Sequence, residues 1–268
     1  MSRRFDRLIA ALACTQLSDR AFNQYENAVR RRNLKRYLEE IDAIGPDTLL
    51  VGEAPSYRGG RRTGIAFVSE RIMLEGVDIR SSPGHILGSG YRKATDDDEI
   101  STEASATMVW ETIREVEPLP MLWNAFPFHP FVRGNPQTNR VPDAAELVIG
   151  QQFLKMLLRL FDFRHVVAIG NQAALSLSRM EIEHEKIRHP SQGGKLKFVA
   201  GMARLSQLKT DMGKSQIQQI KEGRAMRERV YNNRNQPSGP KAPLPTKNAV
   251  RLSTVPSSAS EKYNGGRD

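Results

Sequence analysis

Thiols are nearly absent from this 268-residue chain, whose one cysteine, Cys14, can form neither an internal disulfide nor a multi-thiolate zinc or iron–sulfur site. Cys14 lies on an apolar stretch, which predicts a small buried side chain. A reducing cytoplasm suits such a sequence. Long apolar runs are missing as well: no stretch reaches the roughly 18 residues that a membrane span requires. The N-terminal MSRRFDRLIAALACTQLSD has too short an apolar core for a signal peptide and reads as ordinary helix. Hydrophobic residues at 39% and charged residues at 26% fit a soluble globular protein of one large or two small domains. Negative charge is scarce only near the C-terminus. Residues 203–268 carry 13 Lys+Arg against 5 Asp+Glu, whereas residues 1–202 carry 27 against 25. The formal net charge of +10 is therefore concentrated in the last quarter of the chain. Such a segment attracts polyanions without reading their sequence, or simply aids solubility.

What is present is an alternation of short apolar strands with amphipathic helices. Helical spacing runs over residues 3–13 and about 18–42, the second with Leu34, Tyr37, Leu38 and Ile41 on one side. Arg30, Arg31, Arg32, Lys35 and Arg36 form its charged face, either solvated or in touch with phosphate. Gly45-Pro46 breaks this helix, and residues 47–52 read as a buried strand. A glycine-rich loop, Glu53 to Gly64, leads to a helix from about Phe67 to Glu75. Residues 76–101 show no clear periodicity and read as an inserted loop. A helix over 102–115, a strand over 121–125 and a long Pro- and Asn-rich loop follow. Next come a helix from Pro142-Asp143 to about Phe161, a strand over 164–169 and a helix over 172–179. A strand near 182–187 and a helix over 196–208 end the regular pattern. From 233 onward the chain is rich in Pro, Ser, Gly and Lys, which predicts a disordered basic tail. The expected architecture is one three-layer α/β/α domain over 1–232, with a central, mostly parallel sheet, followed by the tail 233–268.

Three segments share one design, an apolar strand opening into polar residues: LLVGEAP, LWNAFPFHP and the approach to RHPSQGG. In open α/β sheets, loops at the carboxyl ends of strands line one crevice. Glu53, Asn124 and His189 are thereby expected together. Each has a plainer reading alone: Glu53 capping a loop, Asn124 forming a turn, His189 satisfied beside Pro190, and Phe67 filling the core. His129 with His189 suggests a metal pair, but no acidic or cysteine partner stands near either in the sequence.

GEAPSYRGGRRTGIAFVSE is similar to the first motif of uracil-DNA glycosylases, nearest the bacterial branch with a GEAPG-type start. LWNAFPFHP resembles that superfamily's middle motif, and HPSQGG its last. The three occur in family order, each after a predicted strand, and the resemblance spans about residues 45–200. There are departures. The branch's four cluster-binding cysteines are missing, Arg61-Arg62 replace acidic residues, Ala66 replaces proline, Ser69 replaces glycine, and 76–101 is inserted.

The resemblance implies a uracil-DNA glycosylase-like fold and a DNA-repair enzyme that hydrolyses the N-glycosidic bond of a flipped-out uracil. It implies Glu53 and His189 as catalytic residues. Gly52, Ala54, Tyr57, Phe67 and Asn124 would bind the base, with Phe67 stacking, Asn124 reading the base edge and Tyr57 blocking the thymine methyl or merely packing on the loop. Arg58, Arg61, Arg62, Ser191, Gln192, Gly193 and Lys195 would meet DNA phosphates. Leu196 would serve as a wedge or begin the buried face of the next helix. The implied partner is uracil-containing DNA and the product free uracil, with no metal or other cofactor. A monomer in the bacterial cytoplasm, at the nucleoid, is expected. Two other readings fit the same residues: a metal-free nucleotide or nucleoside hydrolase, and a non-catalytic nucleic-acid-binding protein.

Overall fold

The strands over 48–52 and 121–124 are buried at every residue, which requires a sheet covered on both faces. In the computed structural model, which describes residues 3–207 and Glu222, that sheet is the centre of the molecule. The chain divides into two units, Met1–Lys214 and Ser215–Asp268, and every described residue but Glu222 belongs to the first. The tail expected over 233–268 lies outside the described residues.

The elements in order are α1 (Asp6–Ala13), β1 (Ala21–Phe22), a 3-10 turn (Gln24–Glu26), α2 (Ala28–Ile44), β2 (Thr48–Gly52), α3 (Gly60–Thr63) and α4 (Glu70–Glu75). They continue with β3 (Val77–Asp78), β4 (His85–Ile86), α5 (Ala104–Ile113), β5 (Met121–Asn124), β6 (His129–Pro130), α6 (Ala144–Leu160), β7 (His165–Ile169), α7 (Asn171–Arg179) and β8 (Glu185–Ile187). Residues 195–207 are helical.

The central sheet has the order β5-β2-β7-β8 and is parallel throughout. The chain moves from β2 outward to β5, then crosses to β7 on the other side of β2. Such a reversal leaves a crevice at the carboxyl ends of the strands. Helices supply the covering layers: Leu34, Leu38 and Ile41 of α2, Val109 and Ile113 of α5, and Phe153, Leu154 and Leu157 of α6 join one core with the strands. Tyr37 of α2 also turns its hydroxyl to the edge strand, accepting from the Leu122 N–H at 3.0 Å. At the start of α6, Asp143 accepts from the Glu146 N–H and the Glu146 carboxylate accepts from the Asp143 N–H. This reciprocal cap fixes where the helix begins.

Several expectations need correction. The second helix starts at Ala28, ten residues later than its apolar spacing suggests. Asn23 donates to the carbonyls of Leu12 (2.9 Å) and Thr15 (3.1 Å), and Asn27 accepts from Val29 and Arg30 N–H groups. These local bonds compete with helix and set a new N-terminus. The freed segment holds β1, which pairs with β6 in the register Phe22↔His129. The insertion 76–101 contains the β3–β4 hairpin. Cys14, just past the end of α1, is exposed rather than buried. Phe67 does not open a helix: α4 begins at Glu70, with the Ser69 hydroxyl accepting from Ile72 N–H.

Candidate active site

β2 ends at Gly52 directly beside Asn124, the last residue of β5. The loops beyond remain zipped, with Ala125 N–H donating to Gly52 O (2.8 Å) and Phe126 N–H to Glu53 O (3.0 Å). Gly52 carries no side chain for a spatial reason. A Cβ there would stand 2.4 Å from the Phe67 ring and 2.7 Å from Asn124 Oδ1, closer than real contacts allow. The backbone at the end of β2 thus forms a floor on which Phe67 and Asn124 meet.

Phe67 is held in an uncommon conformation, φ 54°, in the left-handed region that costs a non-glycine residue on the order of 1–3 kcal/mol. Its surroundings enforce that geometry. The buried Trp110 indole N–H donates to Phe67 O at 2.9 Å, and the Thr63 hydroxyl donates to Val68 O at 2.8 Å. On the other side the Phe67 ring borders His189, with centroids 6.1 Å apart and planes inclined by 34°. His189 follows β8, two strands from β2, and its Cβ lies 3.5 Å from where a side chain on Gly170 would begin. Gly170 has φ +92°, a conformation that favours glycine.

The ionisation of the site follows from burial. Glu53 is half-buried, and among the described residues no hydrogen bond reaches its carboxylate; burial raises its pKa above the ordinary carboxylate value. For His189, burial and then the Arg188 charge lower the pKa, so the imidazole is neutral near pH 7. Its tautomer can be read from a backbone group. Ser191 N–H lies 3.2 Å from Nδ1 and can only donate, so Nδ1 is the unprotonated nitrogen and the Ser191 hydroxyl, at 2.7 Å, donates to it too. The proton therefore sits on Nε2, which has no hydrogen-bond partner among the described residues. Asn124, buried, likewise has none for its carboxamide. Three polar groups with unused capacity and one aromatic ring thus cluster at the strand ends.

Other expected residues sit differently. Tyr57 N–H donates to Asn139 Oδ1 (2.9 Å), and its ring and hydroxyl engage the exposed Arg58. Ala54 is half-buried beside Glu53. Arg62, expected at phosphate, is bonded to Glu70 (2.9 Å), Asp97 (2.6 Å) and Thr95 (3.1 Å) and acts within the fold. Arg61 packs over the Phe22 ring at 4.7 Å. Gln192 and Gly193 are exposed, with φ 51° and 73°, at the turn after His189. Lys195 pairs with Glu111 at 2.8 Å in an exposed contact. Leu196 is 82% exposed, which excludes the buried-face alternative.

No local pattern marks Trp110, which orients Phe67 from 43 residues away. Nor does one mark Glu103, whose carboxylate lies against Gly59 and accepts from Ser56, and whose pKa burial raises to about 7. Ser191 could have been read as an imidazole partner from its spacing of two. Among the described residues no group of three His, Cys, Asp or Glu side chains is placed to hold a metal. His129 Nδ1 and Nε2 instead face the carbonyls of Pro55 (2.8 Å) and Pro136 (3.2 Å). Nor is any described helix long and apolar enough to cross a membrane.

Comparison with known proteins adds to this geometry. The profile of the uracil DNA glycosylase superfamily matches residues 38–218. No curated protein matches the chain. Among solved structures, the crystal structure of wild-type Pedobacter heparinus SMUG2 is similar, with TM-score 0.57 and 14% identity over 78% of this chain and 100% of that one. At that identity the likeness concerns the fold alone.

Proposed function

Because the chain belongs to the uracil DNA glycosylase superfamily, we propose that it excises uracil from DNA by hydrolysing the bond between the base and the sugar. The observation that carries this reading is that Phe67 and Asn124 meet over the Gly52 backbone and His189 borders the Phe67 ring, with Glu53, desolvated and without a partner among the described residues, next in the chain to Gly52. A base inside a duplex is out of reach, so the nucleotide is flipped into the crevice. There Phe67 stacks on the ring and Asn124 reads its edge, accepting from N3–H and donating to O4. Cytosine presents an acceptor and a donor at those positions. Each buried polar group left unpaired costs about 1–3 kcal/mol, which supports discrimination.

As the C1′–N1 bond breaks, its electron pair leaves with uracil and delocalises onto O2, while the sugar becomes cationic. The Nε2–H of neutral His189 donates to O2 as that charge grows. A pre-oriented donor of this kind is worth about 10²–10³ in rate. The ionised Glu53 stabilises the sugar cation and takes a proton from the water that attacks C1′. Ala54 N–H is a further donor in reach of the base. Arg58, Lys195 and the Ser191–Gly193 turn contact phosphates, and the protruding Leu196 fills the vacated stack. Tyr57, held by Arg58, borders the entrance and opposes the thymine methyl. The basic residues after 203 add sequence-independent affinity for DNA.

The test is incubation of purified full-length protein with a uracil-containing oligonucleotide, then alkali and sizing of the strand. Alkali-labile sites at the uracil are expected, with negligible release of base from free deoxyuridine. An intact oligonucleotide alongside deoxyuridine turnover would instead support a nucleoside hydrolase. Binding without either reaction would support a non-catalytic DNA-binding protein.

A further inference from the structure

Three arginines meet where α2 packs against the loop that follows Glu53, and only one of them is neutralised. Arg62 has two carboxylates, Glu70 and Asp97. Arg30 and Arg61 have none among the described residues. Both guanidinium groups lie over the ring of Phe22, at 5.7 Å and 4.7 Å from its centroid. Arg30 Nε donates to Arg62 O at 3.0 Å, whereas Arg61 Nε is buried with no hydrogen-bond partner among the described residues. Each residue is half-buried, so part of its hydration is lost without a bonded anion in exchange. Burial first, and then neighbouring arginine charge, push both groups below the usual arginine pKa. The carboxylate that acts on Arg30 at longer range, Glu70, is already bonded to Arg62.

Stacking on one aromatic ring still leaves two like charges, brought together and partly desolvated, without a counter-charge. An anion between them supplies one, and two planar forks match the geometry of phosphate oxygens. The position is informative too. Phe22 is paired with His129, and His129 bonds Pro55 O, two residues beyond Glu53. The cationic pair is thus coupled through short contacts to the loop that carries the candidate catalytic carboxylate.

We infer that Arg30 and Arg61, seated on Phe22, form a binding site for a backbone phosphodiester of the DNA strand that enters the crevice. The inference rests on the proposed glycosylase reading for the identity of the polyanion. It assigns to α2 a role in substrate binding, and to Phe22 the role of a platform that positions two guanidinium groups.

The test uses the full chain and a fluorescein-labelled oligonucleotide with a tetrahydrofuran abasic-site analogue, which cannot be cut. Affinity is measured by anisotropy across a salt series. Arg61→Gln and Arg30→Gln are each expected to weaken binding about 3–10-fold near 0.1 M salt. The double variant should reduce the slope of log K against log[salt] by about 0.7–0.9, the share of one phosphate contact, and each single variant by part of that. Phe22→Leu is expected to weaken binding while leaving the slope unchanged, because no charge is removed. A purely structural role for the arginines would alter melting temperature and leave the slope alone. Wild-type affinity and slope in either arginine variant that keeps a wild-type melting temperature overturn the site. Loss of slope together with no uracil excision by wild-type protein leaves the site standing and removes the glycosylase reading. Normal excision with unchanged slopes does the reverse.

Discussion

Two polar clusters lie within twenty residues of each other in sequence and could hardly be built more differently. Around Glu70, whose side chain is fully buried, both carboxylate oxygens accept hydrogen bonds. Thr95 donates at 2.6 Å, the Ser101 N–H at 3.0 Å and Arg62 at 2.9 Å. Burial alone would raise the Glu70 pKa, but these three donors outweigh it and lower the value. Around Glu53, burial acts without opposition and the pKa rises. The same side chain is thus finished in one place and left open in the other. A saturated buried network specifies a fold. Desolvated groups without partners, gathered at the carboxyl ends of parallel strands, are what a ligand site requires.

The contrast can be broken by exchanging the roles of the two acids. Glu53→Gln is expected to slow single-turnover excision of uracil by about 10²–10⁴-fold. The same change should not lower the melting temperature near pH 7. A carboxyl whose pKa is raised by folding favours the protonated form, so its contribution to stability declines as pH rises from the unfolded value through the folded one. Removing the charge relieves that penalty. Excision near the wild-type rate in this variant would remove Glu53 from catalysis.

His189→Ala comes next, with an expected loss of about 10²–10³-fold. Its neighbour sharpens the point. Ser191→Ala removes a donor to the unprotonated Nδ1 and so should raise the His189 pKa. The His189 titration followed by NMR is expected to move to higher pH, with only a few-fold loss of excision near neutrality. An unmoved titration would show that Ser191 does not hold the imidazole.

Glu70→Gln should behave in the opposite manner to Glu53→Gln. A stability loss of about 2–4 kcal/mol is expected by chemical denaturation, less than for an isolated buried pair because Arg62 keeps Asp97. Excision per folded molecule should stay within a few-fold of wild type. Since the folded pKa of Glu70 is depressed, its contribution is present above the ordinary carboxylate range and lost as pH falls through the folded value. The stability gap between wild type and variant should therefore narrow in acid.

How much of this was legible beforehand depends on the range of the interactions involved. Glu53 and Asn124 stand at the ends of apolar strands and His189 two residues beyond the short β8, positions that parallel topology brings to one edge of the sheet. Phe67 was legible as a motif residue but not in its conformation, which depends on Trp110 in α5. The β1–β6 pair escaped because strands of two residues leave no periodicity, and the start of α2 because Asn27 outweighs the apolar spacing before it. The arginines of the RGGRRTG loop look equivalent in sequence. Only Glu70 and Asp97, brought in by other segments, separate Arg62 from Arg61.

The account stands or falls on one shared cavity for a pyrimidine at the ends of β2, β5 and β8. A crystal structure of the protein soaked with free uracil tests this most directly. The expected density lies against the Phe67 ring, with Asn124 at N3 and O4 and His189 Nε2 within about 3 Å of O2. Uracil bound elsewhere, or these three side chains turned away from it, would contradict the account.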